Sequence, residues 1–285
     1  MSSSLKVTLL DVGWGDSIFL QTQASDGSYH FGLIDSNDTK YNSQSKNFLT
    51  RYFRRHREYV APIIEPYFDF VMLSHNHEDH GAGLEEIMKE FGTRDFWYPH
   101  TEKTATLAKL LKFADKQVNK ADGFIKYHEA VEAGKPLPMF GDVKMNILWP
   151  PKDYDYEHAT PNNTSIVLTL ELEKHIVVLT GDAEKEVWKE IASSIPGKTR
   201  FFKVPHHGSV NGTFDGNGDT TWYKKCYRYS RLGISGDVSG NFIFPNKEVI
   251  QLFENDNRKY FRTDENYHIS FETNGSEYNV KYSHY

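Results

Sequence analysis

Cysteine is almost absent from this sequence. The single Cys226 leaves no internal disulfide to form, and a catalytic thiol would need a partner that the sequence does not advertise. A reducing, cytoplasmic home is therefore expected. Long apolar runs are missing too: stretches such as Ile176 to Leu179 stop far short of the roughly 20 residues that cross a bilayer, which argues against an integral membrane protein. The opening MSSSLKVTLLDVGWGD lacks the basic start, apolar run and small-residue cleavage site of a secretory signal. Positive charge is also short. With a formal net charge of −6, a polyanionic ligand must be drawn by local patches or bound metal rather than by the overall field. No Pro- or Ser-rich linker divides the chain and no solenoid-length repeat runs through it, so residues 1–285 are expected to form one domain.

What is present is ample core material, 38% hydrophobic and 14% aromatic. Leu5, Val7 and Leu9 alternate with Lys6 and Thr8, and the chain turns at Gly13-Trp14-Gly15-Asp16 into a second apolar run, Ser17 to Leu20. Further strands are expected at Phe31 to Ile34, Phe68 to Leu73, Val143 to Leu148, Ser165 to Leu172, His175 to Leu179 and Arg200 to Val204, and near Ile234, Tyr260 and Ile269. Helical spacing marks Leu84 to Phe91 before Gly92, Leu107 to Val118, Glu184 to Ala192 and Lys247 to Phe253. Strand-rich halves that each carry helices fit two sheets packed face to face with helices outside, although periodicity equally allows other layered α/β architectures. Asn211 to Asp219, rich in Gly and Asn, is expected to be a mobile surface loop beside a substrate cleft.

The chemistry concentrates in Ser74-His75-Asn76-His77-Glu78-Asp79-His80-Gly81, which follows an apolar strand directly. Three histidines and two carboxylates in the six positions from His75 to His80 would be costly to bury without a ligand. Imidazole and carboxylate suit zinc, manganese or iron, and His75 and His77, two apart on an extended segment, project to one side and can grip one ion. Asp79 and His80 can then turn toward a second. A solvated loop with incidental histidines is the competing reading, and the density and placement of ligands outweigh it.

This segment resembles the H-x-H-x-D-H motif of the metallo-β-lactamase superfamily. Thr180-Gly181-Asp182 looks like that family's bridging aspartate, although Asp182 alone would also serve as a helix cap. Val204-Pro205-His206-His207-Gly208-Ser209 resembles the late metal-binding histidine segment, with His207 preferred as ligand by its place before Gly208 and His206 left open as the alternative or as a group facing substrate. Asp11 to Ser17, Leu33-Ile34-Asp35, Asn162 to Leu168 and Arg262-Thr263-Asp264 are similar to signatures of the soluble hydrolase domain of ComEC-type DNA-uptake proteins. The resemblance spans nearly the whole chain. It implies an α/β fold, the metallo-β-lactamase αββα sandwich of two mixed β-sheets, and two divalent metal ions, zinc or manganese, on His75, His77, Asp79, His80, Asp182 and His207 or His206. Catalysis would fall to Asp79, Asn162, His206 and His207 around a metal-activated hydroxide, with the helix starting near Gly83 offering backbone donors to an anionic substrate.

Three departures stand out. Where the superfamily has a histidine ahead of the bridging aspartate, this chain reads Pro161-Asn162-Asn163-Thr164-Ser165, so Asn162 or water fills the gap, with His158 a weaker substitute, and the first ion is loosely held. Trp14 stands where Gln is common. In Ser239 to Pro245, Phe244 stands where a histidine often precedes the proline.

Two basic runs interleaved with aromatics, Arg51 to Tyr59 and Trp222 to Arg231, suit a nucleic acid, while a solvated face with tyrosines tucked inward is as good a reading of each alone. With the resemblance, they point to a phosphodiesterase or nuclease acting on nucleic acid or a nucleotide, with no membrane partner. The alternatives are hydrolysis of a lactone or thioester, and a noncatalytic module of a multi-protein system.

Overall fold

The structure is a computed structural model, and it describes residues 2–56, 66–101, 104–238 and 243–283. Two mixed sheets carry the fold. The first contains β1 (Ser4–Leu9), β2 (Ile18–Gln23), β3 (Tyr29–Ile34), β4 (Phe68–Met72), β5 (Thr93–Pro99) and β6 (Ile125–Val131), to which the late strands β13 (His268–Thr273) and β14 (Tyr278–Ser283) return. Its order is β14-β13-β1-β2-β3-β4-β5-β6, antiparallel from β14 to β3 and parallel from β3 to β6. The second contains β7 (Lys144–Trp149), β8 (Val167–Leu172), β9 (His175–Leu179), β10 (Thr199–Lys203), β11 (Arg231–Ile234) and β12 (Tyr260–Arg262), in the order β12-β11-β10-β9-β8-β7.

Alternation of the side chains sets the layers. Val7, Leu9, Leu20 and Met72 of the first sheet meet Ile147, Leu168, Val177 and Leu179 of the second in a buried core. The opposite faces bury helices. Outside the first sheet lie α1 (Gln44–Arg55), the single turn α2 (Glu78–Gly81), α3 (Leu84–Phe91) and α4 (Ala105–Val118), through Leu49, Phe53, Ile87, Phe91 and Leu110. Outside the second lie α5 (Lys185–Ile191), the turn α6 (Val210–Thr213) and α7 (Lys247–Asn255), whose Val187, Trp188, Val249 and Phe253 pack on Val178, Phe202 and Ile234. A last turn, α8 (Thr263–Asn266), leads into β13. The result is the αββα sandwich. No helix among the described residues is long and apolar enough to cross a membrane.

The expected helix from Leu84 forms and ends where Gly92 takes a left-handed φ of 69°. Helix α1 and strands β5, β6 and β14 are additions to the elements expected from periodicity. The expected mobile loop from Asn211 begins instead as α6, with Gly212 and Thr213 buried and an isolated bridge between Phe214 and Thr220.

Candidate metal centre

Each segment of interest sits just past the end of a strand. The His75 to His80 segment follows β4, Asp182 follows β9, and His206 and His207 follow β10. Parallel neighbours end at one edge of their sheet, so these loops meet where the two sheets face each other. The nitrogen and oxygen donors of three overlapping groups, His75/His80/Asp182, Asp79/His80/His207 and Asp16/Asp182/His207, lie within 4.8 Å of one another.

Asp182 is at the middle. Its Oδ2 stands 3.3 Å from His207 Nε2, 3.5 Å from His80 Nε2, 3.9 Å from His206 Nε2 and 4.0 Å from His75 Nε2. Asp79 Oδ2 stands 3.8 Å from His80 Nε2, and His75 Nε2 lies 3.0 Å from His77 Nδ1. These contacts are too long for good hydrogen bonds in several cases, and His80 Nε2, His207 Nε2 and Asp182 Oδ1 are buried without a hydrogen-bond partner.

The surroundings aim these atoms inward. His80 donates from Nδ1 to Asp35 Oδ2 at 2.7 Å, and Asp35 is itself held by the Ser74 backbone N–H at 2.7 Å and the Ser74 hydroxyl at 2.5 Å. His207 donates from Nδ1 to the Ser235 carbonyl at 3.1 Å. Both rings are thereby oriented with Nε2 toward the centre, the arrangement that metal-ligating histidines use. Both residues of the pair take left-handed backbone, His206 at φ 46° and His207 at φ 53°, so the rings diverge. His207 joins Asp182, while His206 presents Nδ1 to Glu184 Oε1 at 3.0 Å at the rim. Gly15, at φ 92°, lets the Asp11 to Asp16 loop press onto this cluster: a Cβ there would come within 2.2 Å of the Asp79 carbonyl oxygen.

Four carboxylates, Asp16, Asp35, Asp79 and Asp182, surround a region that also holds Lys203, fully buried with Nζ 2.8 Å from Asp16 Oδ2. Burial raises the Asp182 carboxyl, but His207 and His80 outweigh it and hold the pKa well below the usual range. For His80, burial favours the neutral ring, yet Asp182 and Asp35 prevail and move its pKa well up. Burial keeps His75 neutral, its pKa well down. The cluster thus favours positive charge at its centre. With aligned imidazole nitrogens and unsatisfied carboxylate oxygen, the residues fit a divalent cation.

The remaining sequence candidates fall as follows. Asn162 lies in a 3-10 turn, Pro161–Thr164, donating from Nδ2 to Glu184 Oε1 at 3.0 Å, with its Oδ1 buried and unpaired. His158 is not brought in: its side chain is 78% exposed and pairs with Asp155 at 2.9 Å. At the start of α3 the Gly83 N–H is already committed, donating to the Ser36 carbonyl at 3.0 Å, and Asp38 packs against Gly83. Trp14 and Phe244 stack at 5.6 Å beside His207. The segment 239–242 before Ile243 lies outside the described residues, as do Arg57 and Tyr59 of the first basic run. Phe53 of that run, and Trp222 and Tyr223 of the second, are buried in the core and cannot stack on bases. The motifs assign no role to Asp16, Lys203, Asp35 and Glu184, which the structure brings to the centre. Asp16 and Asp35 stood inside quoted signatures, Asp35 directly at the end of an apolar strand, which was the available signal.

Residues 68–215, just over half of the chain, match the family model described as Metallo-beta-lactamase superfamily. The chain belongs to this superfamily. Members of the superfamily are in general metal-dependent hydrolases, and the His75 to His80 segment and Asp182 lie inside the matched region. Among curated proteins, ComE operon protein 3 of Bacillus subtilis (strain 168) is 25% identical over 284 residues, 95% of this chain and 33% of that protein. The chain therefore spans about a third of the length of this relative, and the relationship expected from the motifs is found. Among solved structures, the metallo hydrolase Igni18 from Ignicoccus hospitalis KIN4/I matches with a TM-score of 0.51 at 13% identity, over 98% of this chain and 99% of that one. A variant of the β-hydroxylase CmlA, of Streptomyces venezuelae, matches at 0.50 and 11%, over 93% and 53%. These two likenesses concern the superfamily fold.

Proposed function

We propose that residues 1–285 act as one domain, a metal-dependent phosphodiesterase that cleaves a nucleic-acid or nucleotide phosphodiester. The observation that carries this reading is the convergence of buried, unsatisfied donors on Asp182: among the described residues, His80 Nε2, His207 Nε2 and Asp182 Oδ1 have no hydrogen-bond partner. The choice of a phosphodiester rests on the ComEC-type motifs and on the similarity to ComE operon protein 3.

In this reading His75, His77 and Asp182 hold one cation, and Asp79, His80, His207 and Asp182 hold a second. Two divalent ions, zinc or manganese, would supply Lewis acidity and a water of lowered pKa. The chain supplies the rest. Asp35 and Ser235 fix the rings of His80 and His207, and Lys203 limits the negative charge by pairing with Asp16. His206 is the imidazole left over. With Nδ1 3.0 Å from Glu184 Oε1 and the ring only partly buried, it is positioned to carry a proton on Nε2 for a departing oxygen.

A carbon-centred reaction on a lactone or thioester is favoured by one specific feature, the aromatic wall of Trp14 and Phe244 beside His206 and His207. Bis(4-nitrophenyl) phosphate separates the two readings. The phosphodiesterase reading expects turnover with manganese or zinc, none with chelator, and loss of both metal and turnover in Asp182→Ala. Turnover of a lactone or thioester panel with the diester untouched supports the second reading. Bound metal with no turnover of either panel supports a noncatalytic module.

A further inference from the structure

The described part of the first basic run, Arg51 to His56, lies apart from the metal-centre residues, and its surroundings make a site of their own. Helix α1 turns Leu49 and Phe53 into the core, and Phe48, Tyr52 and the following His56 share a groove with residues of β1, β13 and β14. Between them lies a cleft of about 290 Å³ whose walls include Asn47, Arg51, Tyr52, Arg55, Tyr267 and His268. Among the described residues no carboxylate side chain lines this cleft, Glu272 lying in the adjoining groove, although the chain carries a net charge of −6. Arg51 and Arg55 stand one turn apart on the same helix wall, exposed, and among the described residues neither is paired with an acid.

Tyr267 is the aromatic counterpart. It has a left-handed φ of 63°, uncommon for a bulky residue, and is 39% exposed. Its ring lies 4.9 Å from that of His268, and Phe48 and Tyr52 stack nearby at 6.1 Å. Unpaired guanidiniums one turn apart, side-chain amides and exposed ring faces, without an acid, are what phosphate and base require together. The volume suits a single nucleotide unit and not a duplex.

The cleft also touches the loop that serves the metal centre. His268 Nδ1 accepts from the Asp11 N–H at 3.0 Å, and Asn42, just before α1, donates to the Val12 carbonyl at 3.1 Å. The same loop carries Trp14 against His207 and Asp16 beside Lys203. We infer that the cleft holds a segment of single-stranded nucleic acid, with phosphates on Arg51 and Arg55 and a base on Tyr267, and leads the strand across the Asp11 to Asp16 loop toward the centre. This rests on the phosphodiesterase reading.

The test is fluorescence anisotropy of a short labelled oligothymidylate with the full chain in chelator, across a salt series, beside turnover of bis(4-nitrophenyl) phosphate with manganese. The double variant Arg51→Glu/Arg55→Glu should weaken binding by about tenfold or more and reduce the salt slope by about 1.4, the value for two phosphate contacts on a single strand. Tyr267→Ala should weaken it about fivefold or more. Arg54→Glu, on the same helix outside the cleft, should bind like the wild type, and all variants should keep diester turnover, which reports an intact fold. Equal losses in Arg54→Glu and the double variant would reduce the effect to a general field and overturn the cleft. So would wild-type binding by the double variant, no oligonucleotide binding by the wild type, or binding of thymidine monophosphate in place of the oligomer. Specific binding without diester cleavage leaves the cleft standing and removes the catalytic reading; cleavage with an indifferent double variant removes the cleft alone.

Discussion

His80 and His207 each commit one ring nitrogen to the protein and keep the other for the centre, so the partners of Nδ1 decide what Nε2 can do. Asp35 does this for His80 from a left-handed backbone at φ 60°, held by two hydrogen bonds from Ser74. Asp35→Asn keeps the shape but weakens the orienting hydrogen bond. Metal affinity, read by competition with a chelating dye, should fall by about 10- to 100-fold with the fold retained; an unchanged affinity would separate Asp35 from the centre. His268 makes a pH prediction away from these ligands. Burial lowers its pKa to about 4, and its Nδ1 accepts the Asp11 N–H. A histidine whose folded pKa lies below the unfolded value of about 6.5 contributes stability above that pH and loses it as pH falls toward 4. Thermal melting of His268→Asn, which retains an acceptor without titrating, should show a shallower loss between pH 6.5 and 4 than the wild type. A steeper loss would reverse the assignment.

At the scale of elements, α1 does the least expected work. Phe53 stands among the rings of Phe19, Phe31, Tyr67, Phe68 and Phe91, and anchors the helix against β2, β3 and β4. Phe53→Ala should destabilise the protein by about 3–5 kcal/mol in chemical denaturation, the cost of emptying a large aromatic site. A loss under about 1 kcal/mol would mean that α1 is only loosely seated. Its apolar positions, Phe48, Leu49, Tyr52 and Phe53, do recur at helical spacing, but Arg51, Arg54 and Arg55 between them make the segment equally readable as a basic surface run. Parallel strands β5 and β6 are hard to read for another reason: their short runs mix buried residues with exposed ones, Arg94 in one and Lys126 in the other. The edge strand β14 is mostly exposed and left little pattern to read. The motif-bearing strands were legible because an apolar run ended directly at a cluster of ligand-type residues. The pairings Asp16 with Lys203 and His206 with Glu184 were not, since each depends on how distant loops meet.

The whole molecule sets an acidic chain around a centre that favours positive charge. Both sheets end their parallel strands at the same edge, and Asp182 from the second sheet's side meets the histidines of the first. The net charge of −6 offers no general attraction for a nucleic acid, so any such ligand must be recognised locally. The account depends most on the claim that these donors hold metal. Crystals grown with zinc, measured across the zinc absorption edge, test it directly: the anomalous difference map should peak among His75, His77, Asp79, His80, Asp182 and His207. A map with no peak at that cluster, from protein soaked in zinc, would contradict it.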